Sequence, residues 1–330
     1  MKVFKILLWL ILICILFLGI FAFVIYNLSQ PSKDELIEYR LNVPNGVSYM
    51  SISQELKENG IIKSAKVFYY YSRIKGAGLK AGVYLVNNKM TFDELHNFLN
   101  TGKQEYIVVS IPEGLTITEI SKILEDNEIC SSIDFIETAK DSNLPESYNI
   151  PSSTLEGYLF PDTYYFTPKM NPTDVIEIMI NNFFEKLSTI SNTEDLTSTE
   201  LHEIVKLASI VEKEYKVAKE APLIASVFKN RLRYNIGLYS CATIIYIITE
   251  ELGLPHPGQV KYSDLKIESP YNTYLHAGLT PTPISNPGII ALDAAINTPK
   301  TNYYYFRVED EVAGTHVFTK DFEDHKNAGN

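Results

Sequence analysis

The longest uncharged stretch of the chain lies at its N-terminus and constrains the placement of everything after it. Residues 6–27 are nearly all apolar and contain no Asp, Glu, Lys or Arg, and Lys2 and Lys5 precede them. A helix of about 20 apolar residues can cross the core of a bilayer, and basic flanks stay in the cytoplasm. The pattern predicts a cytoplasmic tail over 1–5, a single transmembrane helix over 6–27 and an extracytoplasmic remainder.

A cleaved signal peptide is the alternative interpretation of this stretch. The apolar part of a signal peptide is normally shorter and ends in a small-x-small cleavage site. Here the run ends with Val24, Ile25, Tyr26 and Asn27, which offer no such site. The sequence therefore favours an uncleaved anchor, followed by a stalk over 28–41 that leads away from the membrane.

Length and charge limit the classes of protein that remain. The 330 residues suffice for two domains, and the net charge of −11 argues against nucleic acid as a partner. Cys130 and Cys241 lie beyond the apolar run, where they could pair, and no Cys/His spacing is typical of a metal site. We expect neither a metal nor a cofactor.

A short pattern occurs twice, from position 43 and again 68 residues later, from position 111. Each copy is an apolar-Pro-x-Gly turn that leads through Ser48 or Thr116 into a stretch with apolar residues at helical spacing. A strand around 83–86 and a short helix after Thr91 follow the first copy. The pattern predicts a small α+β module over 42–103 and a larger α+β domain over 104–330.

Helical phase singles out one carboxylate in the larger domain. A helix is predicted over about 172–187, and Thr197 with Glu200 forms a capping box for the next one, which should run through Glu214 or slightly beyond. At about 100° per residue, Glu212 falls inside the apolar arc of this helix. Burial favours the protonated form of a carboxyl group, which suits a general acid.

Further elements are predicted towards the C-terminus. Pro222 can occupy the first turn of another helix, residues 269–288 form a proline-rich loop without periodicity, and 303–319 suggest a closing hairpin around Gly314. Long ordered loops are often functional.

Four motifs in fixed order resemble the endolytic murein transglycosylases, the YceG-like family, from about Asn42 to the end. They are Leu155-Glu156-Gly157-Tyr158-Leu159-Phe160-Pro161-Asp162-Thr163-Tyr164, Ala208-Ser209-Ile210-Val211-Glu212-Lys213-Glu214, Ser269-Pro270-Tyr271-Asn272-Thr273-Tyr274, and Gly278-Leu279-Thr280-Pro281-Thr282-Pro283-Ile284 with Asn286-Pro287-Gly288.

The resemblance implies a membrane-anchored enzyme of the bacterial cell surface that cuts peptidoglycan glycan strands between N-acetylmuramic acid (MurNAc) and N-acetylglucosamine (GlcNAc). Glu212 would be the single acid and then base, leaving 1,6-anhydro-MurNAc ends. The module over 42–103 resembles a LysM-like glycan-binding unit, and cell-wall synthases (penicillin-binding proteins) are implied partners. The sugar contacts expected on this basis are Ser240, Thr243, Tyr271, Asn272 and Tyr274.

One departure from the family pattern concerns the expected sugar contacts. Many members carry Leu-Gln-Ser/Thr-Asp-Pro-Thr where this chain has Leu238-Tyr239-Ser240-Cys241-Ala242-Thr243. Any substrate contact made by the missing Gln or Asp is therefore changed here.

Two other functions remain open. A hydrolase would combine Glu212 with a second carboxylate, such as Asp162, and a glycan-binding scaffold would cut nothing. For Glu156, Asp162 and His316 themselves we favour structural roles.

Overall fold

The computed structural model describes residues 2–31, 35–44, 46–76, 78–101, 106–141, 143–310 and 312–327. The chain has an α+β fold that divides into two compact units, Met1–Tyr106 and Ile107–Asn330. The predicted division after residue 103 lies close to this boundary. In the described residues the strands form three two-stranded antiparallel sheets, one in the first unit and two in the second.

The first helix, α1, spans Lys2–Ser29. Over the described parts of the chain, no helix combines the length and the apolarity that a membrane crossing requires. The transmembrane helix over 6–27 and the tail over 1–5 therefore stay predictions; Met1 lies outside the described residues.

The rest of the first unit surrounds its own apolar core. It consists of β1 (Glu38–Val43), α2 (Tyr49–Glu58), α3 (Ala65–Lys75), β2 (Gly82–Asn87) and α4 (Phe92–Thr101). Strands β1 and β2 pair antiparallel, with Leu41 opposite Tyr84 and both side chains fully buried. The predicted stalk over 28–41 is wrong at its end, because Leu41 and Val43 point into this core and make Glu38–Val43 a strand.

The sequence repeat is also a structural repeat. Ser48 caps α2 and Thr116 caps the equivalent helix α5 (Ile117–Asp126), each through its side-chain oxygen. Both helices end at an asparagine, and the next residue, Gly60 or Glu128, has a positive φ. Along the chain, two helices separate the strands of the antiparallel pair in the first copy and three helices separate them in the second. Asn45 of the first turn lies outside the described residues.

The second unit begins with that second copy and continues as a mainly helical domain. Its elements are β3 (Ile107–Ser110), α5, α6 (Ser132–Ala139), α7 (Leu144–Ser147), β4 (Thr163–Phe166), α8 (Pro172–Leu187), α9 (Ser198–Glu212), α10 (Ala221–Arg233), α11 (Cys241–Tyr246), α12 (Ile289–Ile296), β5 (Tyr305–Asp310), β6 (Thr315–Thr319) and α13 (Phe322–Asn327). The helices predicted around 172–187, after Thr197 and from Pro222 are confirmed, as is the closing hairpin.

Helix α9 lies at the centre of this unit and carries the candidate acid at its end. It packs against α10 and α12, and Val205, Ala208 and Val211 are fully buried. The capping box of Thr197 and Glu200 is formed as predicted. The helix is shorter than predicted, because the Lys213 N–H bonds to the carbonyls of Ile210 and Val211 and closes the last turn. Glu212 is thereby fixed at the C-terminus of a buried helix.

Candidate active site

The Glu212 carboxyl group is half-buried and held by two donors. Its Oε2 accepts a hydrogen bond from the Gly288 N–H at 2.9 Å, and its Oε1 accepts one from the Tyr215 hydroxyl at 3.2 Å. Gly288 belongs to the loop that leads into α12, and Tyr215 lies in the segment after α9. Two short segments therefore orient a side chain that the helix places at the edge of the core.

Burial is the main influence on this group and raises the pKa of Glu212 above its ordinary value. The nearby charge of Glu113 raises the pKa further, whereas the Gly288 N–H, the Tyr215 hydroxyl and Lys213 lower it. The net effect favours the protonated carboxyl group. The helical phase of the sequence predicted this property of Glu212, and the described geometry agrees with it.

The buried side chain of Asn286 links three of the motifs identified in the sequence. The Oδ1 of Asn286 accepts hydrogen bonds from the N–H groups of Gly157 and Leu159, both at 2.9 Å. Its Nδ2 donates to the Leu115 carbonyl at 2.9 Å and to the Glu156 carboxyl group at 2.8 Å. The Gly114 N–H in turn donates to the Asn286 carbonyl at 2.9 Å. One side chain thus fixes the loops that surround Glu212.

The helix itself is tied to the proline-rich loop through Ser209. The Ser209 Oγ accepts a hydrogen bond from the Ile284 N–H, and the Ser285 hydroxyl donates to the Ser209 carbonyl, both at 3.0 Å. Gly157 approaches the same loop with φ +91°, and a Cβ there would lie 2.6 Å from Pro283. Only glycine fits this contact. The motifs that lie far apart in sequence therefore meet at Glu212.

A second carboxylate lies beside this site, on a residue that the sequence did not single out. A Cβ placed on Gly288 would lie 2.3 Å from the Oε1 of Glu113, so the Glu113 side chain rests on Gly288. A Cβ on Gly114 would lie 3.3 Å from the Cγ of Glu212. The turn of the second repeat copy therefore lies against the candidate acid. The repeat identified this turn in the sequence, but nothing there linked it to Glu212.

Glu214, two residues after Glu212, lines a cleft of about 530 Å³. Its carboxyl group accepts a hydrogen bond from the Ser240 hydroxyl, and burial raises its pKa. The cleft is also lined by Arg231, Tyr239 and His316. The two glutamates of this motif therefore have separate surroundings.

Three of the expected sugar contacts are buried in the structure. Ser240 caps α11, and the Thr243 hydroxyl donates to the Ser240 carbonyl at 2.8 Å. Asn272 has no exposed surface, and its Nδ2 donates to the carbonyls of Leu265 and Ile267. These side chains hold loops together, and a sugar could reach Thr243 or Asn272 only if they moved. Their role in substrate binding stays a prediction.

The two tyrosines of the same prediction are half-buried and more accessible. The Tyr271 hydroxyl shares a hydrogen bond with Thr282 at 2.7 Å, and the Tyr274 hydroxyl lies 3.1 Å from the Cys241 sulfur. Tyr239, at the position where the family commonly has Gln, is 48% exposed and packs on Tyr274 at 5.6 Å between ring centroids. The departure from the family pattern therefore places an exposed tyrosine, Tyr239, against the half-buried Tyr274. Cys130 and Cys241 are both free thiols.

The residues for which structural roles were favoured have structural partners. Asp162 pairs with Lys186 at 3.0 Å and accepts a hydrogen bond from Asn182. His316 Nδ1 lies 2.9 Å from the buried Glu220 carboxyl group. Glu156 is fully enclosed, accepts the Ile117 N–H, and has its pKa raised to about 8 by burial. Asp162 thus has partners of its own, and Glu113 is the carboxylate that influences Glu212.

Comparison with known proteins agrees with this arrangement. An endolytic murein transglycosylase of Bacillus subtilis is 34% identical over 322 residues, which cover 92% of this chain and 87% of that protein. One of Streptococcus pneumoniae is 29% identical and covers 86% of this chain, which spans 56% of that longer protein. A crystal structure of a YceG-like protein from Listeria monocytogenes matches 90% of this chain and 99% of its own, with a TM-score of 0.56 and 28% identity.

The family model covers about the same part of the chain as these individual matches. It matches residues 41–330, which include both repeat copies, all the motifs around Glu212 and the closing hairpin. The family model matches most of the chain, and the motifs identified in the sequence meet at a buried junction. This chain is therefore a member of the YceG-like family.

Proposed function

We propose that the chain is an endolytic murein transglycosylase, which cleaves the β-1,4 bond between MurNAc and GlcNAc within glycan strands. The observation that carries this proposal is Glu212, whose half-buried carboxyl group favours its protonated form within a family whose relatives bear that name. Glycosidic cleavage needs a proton for the departing sugar oxygen, and a carboxyl group with a raised pKa can donate it near neutral pH.

The chemistry can proceed with one carboxyl group. Glu212 donates its proton to the bridging oxygen as the bond from the muramic C1 to that oxygen breaks, and the bonding electrons remain on the oxygen. The resulting Glu212 carboxylate then accepts the proton of the muramic C6 hydroxyl, whose oxygen bonds to C1. The attack is intramolecular, so proximity contributes much of the rate. The products are a GlcNAc with a free 4-hydroxyl and a 1,6-anhydro-MurNAc end, and no water is consumed.

Mass spectrometry of digested peptidoglycan tests this proposal directly. We expect the purified full chain to release internal glycan fragments that carry anhydro ends, each lighter by one water than the corresponding hydrolytic product. Reducing ends would instead support hydrolysis with a second carboxylate. A lack of any cleavage would support the glycan-binding scaffold. Either of these results would overturn the transglycosylase proposal.

We also propose that the chain is anchored in the cell membrane and acts on its outer side. The apolar run over 6–27 and the preceding Lys2 and Lys5 support a single-pass anchor with the catalytic unit outside the cell membrane. We expect protease added to cells without their wall to degrade the chain beyond about residue 30, where a span of about 20 residues has ended. A cytoplasmic control protein must stay intact. Full protection of the second unit would contradict this topology.

The first unit is proposed to bind glycan, as a LysM-like module. Its βααβ core and exposed Tyr70 support this role. The nearby Phe68 is fully buried in the core of this unit and is not available for stacking on sugars. We expect residues 35–106 to be retained on purified peptidoglycan, and Tyr70→Ala to reduce retention because exposed aromatic rings can stack on sugars. An equal retention of a globular protein of similar charge would contradict the prediction. Synthase partners remain a prediction from the family resemblance.

A further inference from the structure

We propose that Glu113 is a positioning residue of this active site, whose carboxylate keeps Glu212 in its proton-donating form. This inference rests on the proposed function, because it assigns Glu212 the role of the acid. It concerns a residue of the Pro112-Glu113-Gly114 turn, which opens the second copy of the repeat.

The geometry places both carboxylates around one backbone residue. The Gly288 N–H donates to Glu212 at 2.9 Å, and the Cβ site of Gly288 lies 2.3 Å from the Glu113 Oε1. The two carboxyl groups are therefore separated by no more than about 8 Å, given ordinary backbone bond lengths. Glu113 is exposed, whereas Glu212 is half-buried. Two negative charges at this separation repel each other, so the charge on Glu113 disfavours ionisation of Glu212.

The turn that carries Glu113 is held in place by independent contacts. The Gly114 N–H donates to the Asn286 carbonyl at 2.9 Å, and the Gly114 carbonyl accepts a hydrogen bond from the Lys213 ammonium group at 3.0 Å. Gly114 has φ +77°, a conformation that glycine adopts without strain. The position of Glu113 is thus fixed by the same junction that positions Glu212.

The ammonium group of Lys213 favours ionisation of Glu212, and the negative charge of Glu113 counteracts this effect. The charged and titratable groups that act on Glu212 are Glu113, Lys213 and Tyr215. The ammonium group of Lys213 and the hydroxyl of Tyr215 favour the ionised carboxylate, as does the Gly288 N–H. Glu113 opposes them. Without the charge of Glu113, burial alone would have to keep the pKa of Glu212 raised against these contacts, which stabilise the ionised carboxylate.

The first test is the pH profile of Glu113→Gln in the full chain, measured on purified peptidoglycan. Without the like charge Glu212 ionises at lower pH, so activity should be lost earlier as the pH rises. We expect the ratio of wild-type to variant activity to be roughly threefold to tenfold larger at about pH 8 than at about pH 5. Glu113→Asp keeps the charge and should restore most of the profile. Glu137→Gln removes an exposed charge elsewhere in the second unit and should leave the profile unchanged.

A second variant displaces the Glu113 carboxylate without removing it. Gly288→Ala has an ordinary backbone conformation, so its methyl group would mainly collide with the Glu113 side chain. It should shift the pH profile in the same direction, and its effect should largely vanish when Glu113 is already Gln. If Glu113→Gln lowers activity equally at every pH, the residue is only structural and this proposal is wrong. If the wild type makes no anhydro ends, the proposed function itself fails.

Discussion

Glu212→Gln should reduce the release of anhydro-ended fragments by roughly 10²–10⁴-fold, the range typical of general acid–base catalysis, and at its upper end. Gln keeps the size of the side chain and can still accept the Gly288 N–H, but it can neither donate nor accept the catalytic proton. Because one group is assigned both roles, no other residue is expected to compensate. The measurement is fragment release from purified peptidoglycan by mass spectrometry.

The same variant should fold normally. Folding raises the pKa of Glu212, so its contribution to stability is present at low pH and is lost as the pH rises through the folded-state pKa. Gln stays neutral, and the melting temperature should therefore match or exceed that of the wild type at neutral pH. Glu203→Gln, on the exposed face of the same helix, is the matched control and should keep full activity. Glu214→Gln should have a milder effect than Glu212→Gln.

A normally folded Glu212→Gln variant that keeps more than about a tenth of the wild-type rate would show that Glu212 is not the acid, because the loss would fall well short of the catalytic range.

Asn286→Ala should lower the free energy of unfolding of the second unit by roughly 3–5 kcal/mol, because several buried polar groups would lose their partners at once. The substitution would leave the N–H groups of Gly157 and Leu159 without an acceptor in a buried environment. It would also remove a donor from Glu156, which is enclosed with it. Urea unfolding of the chain from residue 35 onward measures the change.

Asn302→Ala is the control for this variant, because Asn302 is exposed in the same unit. It should alter stability by no more than about 0.5 kcal/mol, as surface substitutions usually do. Activity of Asn286→Ala should also fall below that of the control, since the loops around Glu212 lose their junction. An unfolding midpoint equal to that of the control would contradict the assigned role of Asn286.

The local pattern of the sequence was sufficient for the elements that depend on neighbours in the chain. The capping box at Thr197 and the paired turns at 43 and 111 follow from short-range hydrogen bonding and backbone preference. Helical phase likewise placed Glu212 on the buried side of α9, because that choice depends only on the apolar residues of the same helix.

The boundaries of elements were less accurate than the elements themselves. Residues 38–41 were expected to belong to a stalk, but strand β1 forms there because β2, some forty residues later, offers it a pairing edge and a core. Helix α9 ends at Glu212 because its last backbone groups bond within the final turn, a detail that apolar periodicity does not encode.

The composition of the active site was decided only by the tertiary structure. Asn272 and Thr243 were expected to touch sugar, yet their polar atoms are used to satisfy buried loop carbonyls and hydroxyls. Glu113 and Asn286 gave no local signal of their roles, because each acts on residues about a hundred or more positions away in the chain. The sequence by itself determined which helix carries Glu212, the proposed acid. The meeting of loops from distant segments decided what surrounds it, since hydrogen bonds and charge interactions depend on distance in space and not along the chain.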